Sequence, residues 1–480
     1  MHKICLYFIL ILFSCSKPQN NPNLLFILVD DLGWTDVSYN GSDFYETYNI
    51  DRLSLSSMLF FNAYASSSVC SPTRASIMTG KHPARLNITD WIPGLEEQNY
   101  YDITKNILNG PKDRNELPLN ETTIAEVLKM NGYKTFYSGK WHLGSEGYYP
   151  EDQGFDINIG GFEKGSPMGG YYSPYKNPRL SDGPDGEYLT DRLTNETIDF
   201  IDSRDKSKPF AAFLSFYNVH TPIQENKEFY DYYLEKLNGY EDKEPLTKKE
   251  GDAKTVLNHR NPKYASMVHA TDNNVGKIIN YLKKNELFDN TLIVFTSDNG
   301  GLSTQGKVAP TSVYPLRAGK GWLYEGGIKI PQLIKLPGQA YREIIYEPVV
   351  SYDLFPTILN ALGAKYNIKN IDGKDLNNLF FKKEFDRDYI FWHFPHYHGS
   401  LWKPGSAIRN KEWKLVQFYE ENTKELYNLY EDFSESNNLA DTYPEIVDNL
   451  SKKMEEIKLD LNANKTTINQ NYKKWEIFTY

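Results

Sequence analysis

The sequence predicts an α/β fold in which a mixed, mostly parallel sheet is sandwiched by helices and followed by a smaller C-terminal α+β lobe. The main observation is three short apolar runs, NLLFILV at residues 23–29, FAAFLSFY at residues 210–217 and TLIVFT at residues 291–296. Such runs, separated by helical stretches, are typical of buried parallel strands. Each run ends in polar residues, and ligands bind at the carboxyl ends of such strands. The sequence therefore predicts a functional site at that edge of the sheet.

The N-terminal residues have the pattern of a targeting segment. MHKICLYFILILFSC has a basic start, an apolar run that is short for a membrane span, and small residues before Cys15. The end of this stretch, LFSC, resembles a bacterial lipobox, which implies cleavage before Cys15 and a lipid on its sulfur. We therefore expect a signal peptide at residues 1–14 and a polar tether at residues 15–22. An ordinary secretory signal cut nearby is the alternative.

Either signal implies an exported protein. We expect it in the periplasm or at the cell surface, with a lipid anchor in the outer membrane as its only membrane contact.

Weaker patterns complete the large N-terminal domain, which we place at residues 23–382. Residues 134–138 are a fourth strand candidate, and residues 122–130 and 264–284 have helical periodicity. The charged segment 224–262 is typical of an inserted, solvated excursion.

The remaining residues, 383–480, form the predicted C-terminal subdomain. Short aromatic-rich runs such as WKLVQFY and KELYNLY predict a short antiparallel sheet there. A helix near residues 445–462 is expected to pack against it.

Charge and cysteine content exclude several classes of protein. The formal net charge of −10 argues against nucleic-acid binding, which needs a basic face. Of the three cysteines, Cys5 leaves with the signal and Cys15 carries the lipid or lies near the cut, so only Cys70 remains in the folded body. No disulfide framework is therefore possible, and a lone thiol in an exported protein must be buried or chemically altered.

Carboxylates at two strand ends predict a metal site. Asp30 and Asp31 follow the first apolar run, and Asp298 and Asn299 follow the third. These oxygen ligands suit a hard divalent cation, calcium or magnesium, better than zinc. A single Asp-Asp or Asp-Asn-Gly is more often a helix cap or a turn, but two carboxylate-bearing strand ends together favour the cation.

The stretch SVCSPTRASIMTGKHPARL, residues 68–86, places Cys70 in the pattern Cys-x-Pro-x-Arg. This pattern resembles the signature of the type I sulfatases, within the alkaline phosphatase superfamily, in which the cysteine is oxidised to formylglycine (3-oxoalanine). The family's other motifs occur in order across the mature chain, which makes the resemblance specific. They are DD at 30–31, GKWHLG at 139–144, NVHTP at 218–222, SDNGG at 297–301 and GKGWLYEGGIKIP at 319–331.

The resemblance implies an alkaline-phosphatase-like fold and a sulfuric ester hydrolase. The formylglycine would hydrate to a geminal diol, of which one hydroxyl attacks sulfur and the other, once deprotonated, expels sulfate. Asp30, Asp31, Asp298 and Asn299, with the modified Cys70, would hold the cation, which the resemblance gives as calcium. A formylglycine-generating or anaerobic sulfatase-maturating enzyme is then an expected partner.

The resemblance also implies the other catalytic roles. Arg74 would stabilise the ionised hydroxyl, and Lys140 and Lys320 would neutralise the sulfuryl oxygens. His142 is the candidate base that releases sulfate, and His220, helped by Lys320, is the candidate acid toward the leaving sugar oxygen.

The expected substrate is a sulfated polysaccharide or its oligosaccharides, such as ulvan-like or carrageenan-like glycans or another galactan. The stretch NITDWIPG, residues 87–94, resembles a segment of carbohydrate sulfatases. The candidate sugar contacts are Asp90, Trp91, His396, His398, Trp402 and Lys403.

Two other functions remain open from the sequence. One is a phosphomonoesterase or phosphonate monoester hydrolase of the same superfamily, and the other is an inactive homologue that binds glycans at the cell surface.

Overall fold

The computed structural model describes residues 21–473. The predicted signal peptide at residues 1–14, the predicted lipidation site Cys15 and most of the predicted tether lie outside these residues. No helix within 21–473 is both long enough and apolar enough to span a membrane.

The strands, in chain order, are β1 (Asn23–Val29), β2 (Met58–Phe60), β3 (Ala63–Tyr64), β4 (Leu108–Asn109), β5 (Lys134–Gly139), β6 (Ile157–Ile159), β7 (Phe210–Ser215), β8 (Thr247–Glu250), β9 (Ala253–Val256), β10 (Thr291–Ser297), β11 (Thr304–Gln305), β12 (Gln332–Lys335), β13 (Glu343–Ile345), β14 (Val349–Val350), β15 (Ile390–Phe394), β16 (Gly405–Arg409), β17 (Trp413–Phe418), β18 (Thr423–Asn428) and β19 (Thr467–Ile468).

The helices are α1 (Tyr48–Ser54), α2 (Cys70–Thr79), α3 (Pro83–Leu86), α4 (Ile124–Met130), α5 (Leu189–Ser203), α6 (Tyr230–Asn238), α7 (Pro262–Lys284), α8 (Glu325–Ile328), α9 (Leu354–Ala361), α10 (Asn377–Phe380) and α11 (Pro444–Asp460).

An eight-stranded sheet in the order β13-β2-β12-β10-β1-β7-β5-β6 forms the centre of the large domain. Within the run β10-β1-β7-β5-β6, each strand is parallel to the next one. Strand β12 is antiparallel to both of its neighbours, β10 and β2. The carboxyl ends of β1 and β10, which both carry predicted ligands, therefore lie side by side. This confirms the predicted mixed, mostly parallel sheet.

Both faces of the sheet are covered, as the continuous apolar runs predict. Side chains alternate across a strand, so Leu24 and Phe26 of β1 point to one face while Leu25 and Ile27 point to the other. Helices α2, α4 and α9 cover the first face, and α1, α5 and α7 cover the second. Burial on both faces explains why these strands lack the polar alternation of an exposed sheet.

The C-terminal lobe contains the predicted antiparallel sheet, in the order β15-β16-β17-β18. Leu415 and Leu426 on one face pack against Leu450 and Met454 of α11. Trp392 and other aromatic side chains on the other face pack against residues 322–324 of the large domain. The lobe is therefore fixed to the large domain by a shared apolar core.

The element boundaries differ from the predictions in detail. Helix α4 begins at Ile124 rather than at residue 122, because Thr123 and Glu126 form a reciprocal capping box. Helix α11 ends at Asp460 rather than at residue 462. Part of segment 224–262, expected to be a solvated excursion, forms α6 and the hairpin β8–β9, which pairs with β11.

Candidate active site

The four predicted oxygen ligands meet where β1 and β10 end. The two strands are paired in parallel up to their last residues, so the residues that follow leave the sheet together. The backbone N–H of Asp31 donates to Asp298 Oδ1 at 3.2 Å, and Asn299 Nδ2 donates to Asp31 Oδ1 at 2.8 Å. These three side chains and that of Asp30 are almost fully buried. The sheet therefore positions a compact carboxylate cluster.

Cys70 is the first residue of α2 and joins this cluster. Its Sγ and one oxygen each of Asp30 and Asp298 lie within 4.8 Å of one another, and the same holds for Cys70, Asp31 and His220. Burial raises the pKa of the Cys70 thiol, so the thiol is protonated at neutral pH. Since the thiolate is the nucleophilic form, an unmodified cysteine here is a weak nucleophile.

Arg74 and Lys140 neutralise the buried side of the cluster. Arg74, one helical turn after Cys70, donates from Nε to Asp298 Oδ2 at 2.8 Å and from Nη1 to the Lys140 carbonyl at 2.7 Å. Lys140 Nζ donates to Asp30 Oδ2 at 2.7 Å. Neither cation lines the cavity described below. Both cations therefore contact the carboxylates on the side of the cluster that faces away from the cavity.

Lys320 is the cation on the open side of the cluster. Its Nζ lies 2.6 Å from Asp31 Oδ1 and 3.7 Å from Cys70 Sγ. Although burial opposes it, the charge of Asp31 raises the pKa of Lys320, so the amine stays protonated. A fixed positive charge therefore stands beside the position of Cys70.

The cluster suits a hard divalent cation. Asp30 Oδ1 and Asn299 Oδ1 are buried acceptors without a hydrogen-bond partner among the described residues. Burial raises the pKa of Asp30 well above its usual range, and neighbouring carboxylates add to this effect against the opposing charge of Lys140. Buried oxygens with unmet acceptor capacity favour a positively charged ligand, and carboxylate and amide oxygens are the ligands that calcium prefers.

His142 and His220 both line the cavity, and one ring nitrogen of each is fixed by a backbone carbonyl. His142 Nε2 donates to the Ile92 carbonyl at 2.7 Å, and its Nδ1 is buried without a hydrogen-bond partner within residues 21–473. The Ile92 contact therefore fixes the tautomer and leaves Nδ1 as the basic nitrogen. His220 Nδ1 donates to the Thr221 carbonyl at 2.8 Å, which leaves Nε2 at 3.8 Å from Asp31 Oδ2.

Burial lowers the pKa of both imidazoles, and nearby lysines add to the effect. The pKa of His142 lies well below its usual value, and that of His220 falls to about 3. At neutral pH both rings are therefore uncharged in the free protein, which suits a base at His142.

The cluster opens into a cavity of about 700 Å³. We define the cavity base as the carboxylate cluster together with Cys70, Lys320, His142 and His220. The cavity wall is made by loops, mostly with neutral polar or aromatic side chains. It includes Trp91, Pro93, Leu95, Gln98, Tyr100, Asn115, Ser145, Glu163, Lys164, Ser166, Gln305, His398 and Ser400.

Of the six predicted sugar contacts, the structure places Trp91 and His398 in the cavity wall. Asp90 lies behind Trp91 and accepts its backbone N–H at 2.8 Å. Burial raises the pKa of Asp90 to about 7. His396 is also buried and hydrogen-bonds to Thr89 Oγ1 at 2.8 Å.

Trp402 and Lys403 do not line the cavity either. Trp402 is buried in the apolar contact between the two lobes, where its Nε1 donates to the Phe394 carbonyl. Lys403 forms ion pairs with Glu420 and Glu421.

Several cavity residues were missed by the sequence reasoning. Tyr100, Asn115, Glu163 and Lys164 belong to none of the motifs, and no local pattern distinguishes them from ordinary loop residues. The Ile92 carbonyl that orients His142 is a backbone group, which no side-chain pattern reveals.

Comparison with known proteins gives the family. The sulfatase family model matches residues 22–364, and a model of the N-sulphoglucosamine sulphohydrolase C-terminal region matches residues 318–460. The chain therefore belongs to the sulfatase family and is a sulfuric ester hydrolase, as its motifs predicted.

Similar proteins span most of the chain. A sulfatase of Formosa agariphila is 29% identical, with 92% of this chain and 90% of the relative covered. The mouse N-acetylgalactosamine-6-sulfatase is 29% identical, with 80% and 70% covered. The crystal structure of Ps i-CgsB in complex with k-i-k-neocarrahexaose has a TM-score of 0.73 and 29% identity, with 92% of this chain and 93% of that chain covered.

Proposed function

We propose that this sulfatase removes sulfate esters from a sulfated polysaccharide or its oligosaccharides, a galactan of the carrageenan-like or ulvan-like kind. The observation that carries this proposal is a charged base, centred on Cys70, at the bottom of a cavity of about 700 Å³ with polar and aromatic walls. A volume of this order accommodates small ligands such as a sugar unit. The similarity to Ps i-CgsB, solved with a neocarrahexaose, supports a galactan substrate.

We also propose that Cys70 is converted to formylglycine by a maturation enzyme before the chain folds. Two observations support this step. Cys70 is only 3% exposed in the folded protein, so a modifying enzyme must reach it earlier. Its raised thiol pKa also makes the unmodified side chain a weak nucleophile.

A calcium ion held by Asp30, Asp31, Asp298, Asn299 and position 70 completes the proposed site. When bound, the ion would supply the charge that activates one hydroxyl of the hydrated aldehyde, and that hydroxyl would take up the sulfuryl group as the sugar oxygen leaves. Loss of the proton from the second hydroxyl would then re-form the carbonyl and break the carbon–oxygen bond to sulfate.

The side chains of the cavity base then have separate tasks. Lys320 stands beside position 70 and offsets the negative charge of the sulfuryl oxygens. His142 Nδ1, which has no hydrogen-bond partner in the described part of the chain, is the nitrogen that accepts a proton. The protonated Lys320 is placed to deliver a proton to the leaving sugar oxygen. His220, whose Nε2 carries no proton in the free protein, serves as the acid once it has taken up a proton at Nε2, which the negative charge of a bound sulfate ester favours.

Export, lipid attachment at Cys15 and a periplasmic or cell-surface location remain proposals from the sequence pattern. They are supported by the targeting segment alone.

The test is sulfate release from a panel of sulfated mono- and oligosaccharides, including carrageenan and ulvan fragments. We expect release from galactan oligosaccharides and a loss of at least about 10⁴-fold in the Cys70→Ala variant, because the nucleophile is removed. Faster hydrolysis of phosphate or phosphonate monoesters would favour the other hydrolases of the superfamily. Glycan binding without release in the matured wild-type protein would indicate an inactive glycan-binding homologue.

A further inference from the structure

A cluster of buried titratable side chains lies directly behind the cavity wall. The imidazole of His396, which follows β15 in the C-terminal lobe, is surrounded by the carboxyl groups of Asp90, Glu96 and Asp113. None of these four side chains lines the cavity. The cluster therefore joins the C-terminal lobe to the segment 87–119, which forms part of the cavity wall and is called the wall segment below.

Hydrogen bonds connect His396 to the start of the wall. His396 Nε2 lies 2.8 Å from Thr89 Oγ1 and 3.6 Å from Asp113 Oδ2. The Thr89 hydroxyl donates to Asp113 at 3.0 Å, and the backbone N–H groups of Thr89 and Asp90 both donate to the same carboxylate. His396 and Asp113 thus hold the two residues that precede Trp91.

The opposite side of the imidazole is closed as well. The backbone N–H of Gly110 donates to Glu96, and a side chain at Gly110 would lie 2.7 Å from His396 Nδ1. The imidazole of His396 therefore fits closely between the backbone segments that contain Thr89 and Gly110.

The charges in the cluster favour an imidazolium. Burial opposes charge on His396, but Asp90, Asp113 and Glu96 outweigh it and raise the pKa of the imidazole. His393, from the same lobe, is a nearby imidazole whose own pKa burial lowers to about 3. The carboxyl groups of the wall segment thus gain a buried positive partner from the other lobe.

The segment that His396 and Asp113 hold also contacts His142, the candidate proton acceptor. The backbone N–H of Ile92 donates to Ser71 Oγ at 3.1 Å, and the Ile92 carbonyl accepts the hydrogen bond from His142 Nε2. Only two residues separate Thr89 from Ile92. Any shift of Thr89 is therefore transmitted over a short length of chain to the group that orients His142.

We propose that His396 is a positioning residue for this sulfatase: through Thr89 and Asp113 it fixes the wall segment so that the Ile92 carbonyl holds His142 in its Nε2–H tautomer. The inference rests on the proposed function for its kinetic consequence, since His142 is the candidate base there. The position of the wall segment and the tautomer of His142 are properties of the protein without substrate.

The test compares three variants and one control variant with wild type. In Thr89→Val and His396→Leu we expect kcat for sulfate release to fall about tenfold, because small misplacements of a catalytic group cost rate steeply. His396→Gln keeps a side-chain N–H for Thr89 and should recover most of that loss. His393→Gln is the matched control, since His393 is equally buried but bonds to Ser406 and Asn464 instead.

A pH profile of kcat separates positioning from simple loss of folded protein. A lower folded fraction reduces kcat by the same factor at every pH. Loss of the fixed His142 tautomer also shifts the pH at which kcat falls on the acidic side of the profile. If His396→Leu does not fold, Thr89→Val, which keeps the shape of the side chain, decides the question. Wild-type kcat and an unmoved profile in Thr89→Val, or an equal loss in His393→Gln, would overturn the inference.

A substrate-free readout keeps the two proposals distinguishable. In ¹⁵N-histidine-labelled protein we expect the His142 ring nitrogens to report the Nε2–H tautomer in wild type and a mixture in Thr89→Val. An unchanged tautomer in Thr89→Val contradicts the positioning role even if the wild-type protein releases no sulfate. A wild type without sulfate release contradicts the proposed function alone.

Discussion

The cavity base and the cavity wall are built in different ways. The carboxylate cluster and Cys70, at the centre of the base, come from the ends of β1 and β10 and the first turn of α2, and these groups are buried and bonded to one another. Lys320, His142 and His220 join them from connecting segments. The wall is made of loops, and some of its side chains are exposed, such as Tyr100 at 78%. From this difference we expect the base to carry the chemistry of sulfate-ester hydrolysis and the wall to select the sugar.

The largest effect is expected when the cation is removed from the base. Because three carboxylates and an amide converge there, exhaustive chelation should abolish sulfate release and added calcium should restore it. A ligand that binds only the folded protein also raises its thermal unfolding midpoint, so calcium should do so here. Full activity in protein shown by elemental analysis to be free of divalent metal would contradict the assignment.

Replacing Arg74 by lysine tests the buried side of the base. A lysine keeps the charge but cannot reach Asp298, Ser215 and the Lys140 carbonyl together, as the Arg74 guanidinium does. We expect kcat to fall about 10²-fold.

The matched control for that change is Arg85→Lys. Arg85 pairs with Asp372 and Asp460 away from the cavity, so kcat should stay within about twofold of wild type. Equal kcat values for the two lysine variants would remove the role given to Arg74.

A single methyl group added at Gly165, next to His142, tests how tightly the His142 imidazole is held. A Cβ at Gly165 would lie 2.4 Å from the His142 ring, so Gly165→Ala must displace the imidazole. We expect kcat to fall about tenfold, measured as sulfate release at saturating substrate. Gly239→Ala is the control, since a Cβ there meets no atom of the described residues within 4 Å. Unchanged kcat in Gly165→Ala would show that the ring position does not matter.

The smallest effect is expected in the wall. Tyr100→Ala removes an exposed ring that can pack against a sugar, so KM should rise severalfold while kcat stays nearly constant. Tyr48→Ala removes a ring that is 61% exposed outside the cavity and should leave both constants unchanged. A fall in kcat without a change in KM for Tyr100→Ala would contradict the assignment of substrate binding to the cavity wall and of catalysis to the cavity base.

The same difference explains what the sequence could predict. Asp30 and Asp298 were predicted to lie together because buried parallel strands place their carboxyl ends at one edge of the sheet. Cys70 was found because its motif is short and continuous. Both rules act over local sequence, and the structure confirms the fold class that they predicted.

The wall could not be predicted in this way because its residues are close only in space. Glu163 and Tyr100 come from separate loops, whose paths depend on tertiary packing rather than on local propensity. His396 and Trp402 were proposed as sugar contacts from an aromatic-rich stretch, and the structure places them outside the cavity. An aromatic pattern alone does not distinguish the packed side of a lobe from its open side.

The proposed catalysis depends on the chemical state of position 70, and mass spectrometry of the peptide that contains it is the most direct measurement. We expect active preparations to contain the aldehyde form, lighter than the thiol form by the replacement of a thiol-bearing carbon with a carbonyl, and sulfate release to rise in proportion to that fraction. Full activity in protein whose position 70 is entirely unmodified cysteine would contradict the account.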